Sequence, residues 1–140
     1  MTTTIKPDQA AWFSAYLTVA DMQESIAFYR DAFGFSLTGK MEDEEKGIVH
    51  TEWTHQEQVI FMAAPEGVTE GGEKAPGAMG GVWPLTFYVY VPDVDAHYET
   101  AKAAGAKVGG PPKDQFWGDR SYEVADPSGY RWMFATASAN

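Results

Sequence analysis

His50 and Glu52 stand two residues apart in Val49-His-Thr-Glu-Trp53, a spacing that puts both side chains on one face of a strand. A third candidate, Glu123, occupies the corresponding place in the second half of the chain. Two carboxylates and an imidazole around one cleft could hold an ion or relay a proton. The competing reading pairs each carboxylate with a base such as Arg120 or Arg131, or leaves it at a solvated rim. Trp117-Gly-Asp-Arg120 offers different chemistry. Trp117 could stack on a planar ligand while Asp119 and Arg120 fix its polar ends. Alternatively, Gly118 permits a bend and Asp119 and Arg120 form a local ion pair that holds it. His55 is expected in a turn, and His97 on the exposed side of a helix.

Other chemistries lack support. No Gly-x-Ser-x-Gly elbow is present, and no glycine-rich phosphate loop follows a strand. The absence of cysteine removes disulfides, thiolate nucleophiles and Cys-zinc sites. Ten basic against twenty acidic residues give a net charge of −10, which argues against nucleic acid as a partner. A negative field can favour a cationic ligand or simply keep the protein in solution. No apolar run approaches the roughly 18 residues of a membrane span, and Met1-Thr-Thr-Thr-Ile-Lys6 lacks a signal-peptide core. The expectation is a soluble cytoplasmic protein with no membrane partner.

The elements that must position these residues follow from periodicity. Residues 1–11 read as a polar arm. Trp12–Ala20 alternates as a strand, with Ala15, Leu17 and Val19 on one face and Ser14, Tyr16 and Thr18 on the other. Asp21 caps a helix, with Glu24 in a capping-box position and Gly34 at its end. A strand at 35–41, an acidic turn at Glu42–Glu45, and a hairpin of 47–53 with 58–64 complete the first half. Pro65–Pro84, rich in glycine and proline, reads as a linker or mobile flap. The pattern then restarts with a strand at 85–91, Asp93 capping a helix to about Ala104, a strand from Ala106, and a final hairpin.

A shift of 72 places Tyr16, Val19 and Asp21 on Tyr88, Val91 and Asp93. A shift of 71 places Glu52 on Glu123 and Met62 on Met133. The repeat predicts an α+β fold of two tandem βαβββ modules, residues 12–64 and 85–136, forming one domain with a curved mixed sheet around a cleft. The wall expected for that cleft is Ser14, Tyr16, Thr18, His50, Glu52, Met62, Thr86, Tyr88, Tyr90, Trp117, Glu123, Arg131 and Met133. Tyr130 and Trp132 fall on the opposite, core-facing parity.

The last hairpin, Phe116-Trp-Gly-Asp-Arg…Asp126-Pro-Ser-Gly-Tyr-Arg-Trp132, resembles that of the vicinal oxygen chelate superfamily, which includes glyoxalase I, bleomycin-resistance proteins and extradiol dioxygenases. It looks most like the PhnB-like branch. The resemblance covers roughly residues 13–136 and implies the same paired βαβββ architecture. In metal-dependent members the ligands are His or Glu, and the matching positions here are Ser14, Met62, Thr86 and Met133. Hydroxyls and thioethers are poor donors for such ions, so no metal and no cofactor are expected. The resemblance then implies a metal-free binder of an aromatic or cationic small molecule, acting as a homodimer. The alternatives are a lyase, isomerase or dioxygenase with an ion at His50, Glu52 and Glu123, and a structural or regulatory dimer with a vestigial cleft.

Overall fold

The computed structural model describes residues 5–8, 10–68, 71–80 and 84–138. The first module runs β1 (Ala10–Val19), α1 (Met22–Asp31), β2 (Ser36–Asp43), β3 (Gly47–His55) and β4 (Gln58–Pro65). The second runs β5 (Phe87–Tyr90), α2 (Val94–Ala103), β6 (Lys107–Val108), β7 (Lys113–Asp114), β8 (Asp119–Ala125) and β9 (Arg131–Ala137). The helices start where the capping residues require. Asp21 accepts from the Glu24 amide at 3.0 Å, and Asp93 from the Ala96 amide at 3.1 Å.

Each module forms its own mixed sheet, in the orders β1-β4-β3-β2 and β5-β9-β8-β6, with β7 also pairing β8. β1 is parallel to β4, as β5 is to β9, and the other pairs are antiparallel. The repeat holds at the level of single side chains. Tyr16 faces Met62, which faces Glu52; in the second module Tyr88 faces Met133, which faces Glu123. The copies differ in their second strand. Gly109–Pro112 splits it into β6 and β7, because proline cannot donate to the ladder.

One aromatic core joins the modules. Tyr29 of α1 and Phe33, just beyond its end, lie against Trp132 and Phe134 of β9, with Phe33 and Phe134 centroids 4.7 Å apart. Trp53, Phe61 and Phe35 complete the cluster. Burying each such ring stabilises the fold by about 1.5–3 kcal/mol relative to leaving it exposed. Tyr130 and Trp132 are buried, as their parity predicts.

Several local expectations change. β1 begins at Ala10 rather than Trp12, and an irregular register between Ala10 and Ala15 leaves Trp12 and Phe13 81% and 90% exposed. Within the segment read as a linker or flap, Pro76–Met79 forms a docked 3-10 turn. Ala75 and Pro76 are buried, the Ala75 amide donates to Glu66 Oε1 at 2.7 Å, and the Gly77 amide to the Ser128 carbonyl at 3.0 Å. Residues 69, 70 and 81–83 of that segment lie outside the described residues. His97 is not on an exposed face. Its Nε2 donates to the Phe33 carbonyl at 2.9 Å and its Nδ1 lies 2.6 Å from the Tyr122 hydroxyl, because α2 lies beside β8 and the turn that follows α1.

Candidate functional site

β1 and β5 are the edge strands of their sheets. Between them lies a cavity of about 1110 Å³, a little above the roughly 300–1,000 Å³ of small-molecule sites. Its wall is largely aromatic and aliphatic: Phe13 and Tyr16 from β1, Ile60 from β4, Phe87, Tyr88 and Tyr90 from β5, and Trp132 from β9. His55 and Gln56 close one side, with Met79 from the segment between the modules and Leu85 from just before β5.

Of the residues expected in the cleft wall, Tyr16, Thr18, Tyr88 and Tyr90 line this cavity. Ser14, His50, Glu52, Met62, Thr86, Trp117, Glu123, Arg131 and Met133 do not line it. Ala15, Phe87, Val89 and Trp132, on the core-facing parity, do. The physical reason is the position of β1 and β5. An edge strand has no neighbour on one side, so residues from both of its faces reach the space beside it. Strand alternation alone assigns a cavity to one face and misses this.

Two polar networks stand behind the tyrosines. In the first module the Tyr16 hydroxyl is 3.0 Å from His50 Nδ1, and His50 Nε2 is 3.2 Å from Glu52 Oε2. In the second, the buried carboxylate of Asp119 accepts from Tyr88 at 2.5 Å and from Tyr90 at 2.8 Å. Trp117 Nε1 donates to the Tyr88 hydroxyl at 3.0 Å. Those hydrogen bonds, Tyr88's foremost, hold Asp119 below the usual carboxylate range. Burial, reinforced by the hydrogen bond to Asp119, pushes Tyr88 up to about 12. Burial also raises Tyr16. Each phenol therefore stays protonated at neutral pH, and Tyr88 and Tyr90 donate to the Asp119 carboxylate.

The local Asp119–Arg120 ion pair does not form. Neighbours in a strand point to opposite faces, so Asp119 turns to the tyrosines while Arg120 reaches Asp95 at 3.0 Å and Asp114 at 3.5 Å. Glu123 pairs with Arg131 at 3.3 Å, away from His50 and Glu52. Among the described residues no three His, Asp or Glu side chains come together as an ion site. Ser14, Met62, Thr86 and Met133, the positions the resemblance matches to metal ligands, also do not fit an ion. They offer two hydroxyls and two thioethers, and the Ser14 hydroxyl is directed at the Val59 carbonyl at 3.4 Å. His55, expected only as a turn residue, donates from Nε2 to the Tyr90 carbonyl at 2.7 Å, linking the modules beside the cavity. Nothing in the local sequence signals that contact.

Residues 7–134 match the Glyoxalase/Bleomycin resistance protein/Dioxygenase superfamily, and the chain belongs to it. An uncharacterised protein of Mycobacterium bovis, Mb0911c, is 33% identical over 120 residues, covering 85% of this chain and 78% of that protein. Among solved structures, TioX from Micromonospora sp. ML1 is 25% identical with a TM-score of 0.68, covering 93% of this chain and 98% of TioX. TnmS3, an antibiotic-binding protein from Streptomyces sp. CB03234, shares the fold at 20% identity and a TM-score of 0.65, covering 98% of this chain and all of TnmS3 (100%). Among the described residues, no helix is long and apolar enough to cross a membrane.

Proposed function

We propose that this protein binds an aromatic small molecule between β1 and β5 and holds it without a metal ion. The observation that carries this reading is the cavity itself, of drug-sized volume and walled by rings from both modules. The net charge of −10 favours a ligand that also carries positive charge. The structural likeness to an antibiotic-binding protein supports sequestration of such a compound as the biological role. The Phe116–Arg120 lead-in supports a place in the PhnB-like branch, and the two modules, 12–64 and 85–136 with 65–84 between them, act as one binding unit. Trp12 and Phe116, 81% and 97% exposed, support a homodimer that covers them.

The test is a thermal-shift and tryptophan-fluorescence panel of planar compounds in cationic, neutral and anionic forms. Binding to the native state alone raises stability by about 2.7 kcal/mol at a hundredfold excess over Kd. Cationic and neutral aromatics should raise Tm, and Ala15→Trp, which fills the cavity, should abolish the shift while leaving the circular dichroism spectrum intact. No stabilisation by any planar compound would overturn the proposal. Sedimentation at micromolar concentration reads the dimer separately.

A further inference from the structure

Tyr16, His50 and Glu52 form an unbroken hydrogen-bonded series that starts at the cavity wall. A carboxylate at Glu52 can only accept, so the 3.2 Å contact takes the proton of His50 Nε2. In the neutral imidazole Nδ1 is then the acceptor, and the Tyr16 hydroxyl, 3.0 Å away, is its donor. The Tyr16 oxygen keeps lone pairs for a molecule in the cavity. The carboxylate has room to lie where it does because Gly39, opposite Glu52 on β2, has no side chain. A Cβ at Gly39 would sit 2.7 Å from Glu52 Oε1. The repeat-related Tyr88 is built differently, donating to Asp119 with no imidazole between.

We propose that this series is a proton relay and gives the protein an acid–base activity toward ligands with an acidic hydroxyl, such as a phenol or enol. The proposal rests on the cavity being a ligand site. In the transfer, the ligand O–H bond breaks and its proton goes to the Tyr16 oxygen, while Tyr16's own proton passes to His50 Nδ1. The ligand keeps the electron pair as a phenolate, and the imidazolium formed is held at Nε2 by Glu52. No oxidant or further reactant is needed. Tyr16 is the group that touches the ligand; His50 takes the proton, and Glu52 and Gly39 are positioning residues.

The probe is p-nitrophenol, whose ionisation is read from its yellow phenolate band. An apolar cavity alone disfavours charge and raises the pKa of a bound phenol. The relay predicts the opposite sign, with the bound phenol ionising at lower pH than free phenol by about one unit, or about tenfold in the ratio of phenolate to phenol. His50→Gln and Glu52→Gln should reverse that shift while still binding nitrophenol, and Gly39→Ala should weaken it by displacing Glu52. In the free protein, ¹⁵N spectra should show His50 protonated at Nε2 and bare at Nδ1. A raised pKa in wild type and variants alike, or a proton on Nδ1 of neutral His50, would overturn the relay and leave the binding reading intact. Failure of nitrophenol and of every planar aromatic to bind would overturn both.

Discussion

Tyr29 on α1 donates its hydroxyl proton to Asp126 Oδ2 at 2.7 Å, so a helix of the first module is tied to the turn between β8 and β9 of the second. The same carboxylate accepts from Trp132 Nε1 and from the amides of Ser128 and Tyr130. Around it, the Ala20 amide donates to the Ser128 hydroxyl and the Thr18 amide to the Tyr130 hydroxyl, both at 3.0 Å. Burial raises the Asp126 pKa, and the four donors oppose that rise. Tyr29→Phe leaves a buried acceptor short of one donor and should cost about 1–3 kcal/mol, read by urea unfolding. An unchanged midpoint would mean that water replaces the hydroxyl.

Gly129 closes the same turn with φ +97, and a Cβ there would meet the Gly77 amide nitrogen at 2.8 Å. Backbone atoms cannot yield as a side-chain tip can. Gly129→Ala should cost about 1–3 kcal/mol and detach the Pro76–Met79 turn. Limited proteolysis should then cut within residues 65–84 faster than in wild type.

His97 is held neutral by its surroundings. Burial lowers its pKa, and the nearby His55 lowers it further, although the Phe33 carbonyl opposes both. Between the folded value and the ordinary value of about 6.5, the unfolded chain binds more protons than the native one, so stability rises with pH through that window. Urea midpoints should therefore fall from about pH 7 to about pH 5.5. His97→Gln, less stable at the start because Tyr122 and Phe33 lose their partner, should show a shallower fall. Equal slopes would assign the acid sensitivity elsewhere.

The β3–β4 hairpin turns on Gln56 and Glu57, with φ of +49 and +68. Both lie in the left-handed region that side chains disfavour, and Asn-Gly is the sequence that such a two-residue turn prefers. The double substitution Gln56→Asn, Glu57→Gly should stabilise the ligand-free protein by about 1 kcal/mol, a rise of a few degrees in Tm. A lower Tm would show that the native side chains contribute contacts outweighing the strain.

Features set by near neighbours in sequence were legible in it. Asp21 and Asp93 announce their helices, Asp126-Pro-Ser-Gly129 announces its turn, and the repeat of Tyr16 and Tyr88 foretells two modules. What sequence could not supply was how one module meets the other. Period two located Tyr16 and Tyr88 on a wall but could not show that β1 and β5 are edges, which brings Phe87 to the same space, with Trp132 of the neighbouring β9 beside it. His97 is four residues past a capping Asp and looks solvated until Phe33, just beyond α1, is laid against it. Asp119 and Arg120 are adjacent in sequence, yet strand alternation separates them and gives each a partner 25 or more residues away.

Two copies of one strand, brought face to face, would by themselves make a chamber with interchangeable ends. A guest could then enter in either of two orientations with equal ease. Here the copies carry unlike backing, an imidazole behind Tyr16 and a carboxylate behind Tyr88. The repeat thus leaves a symmetric room with a head and a foot, and on the proposed binding reading a molecule whose own two ends differ would have one preferred way to lie in it.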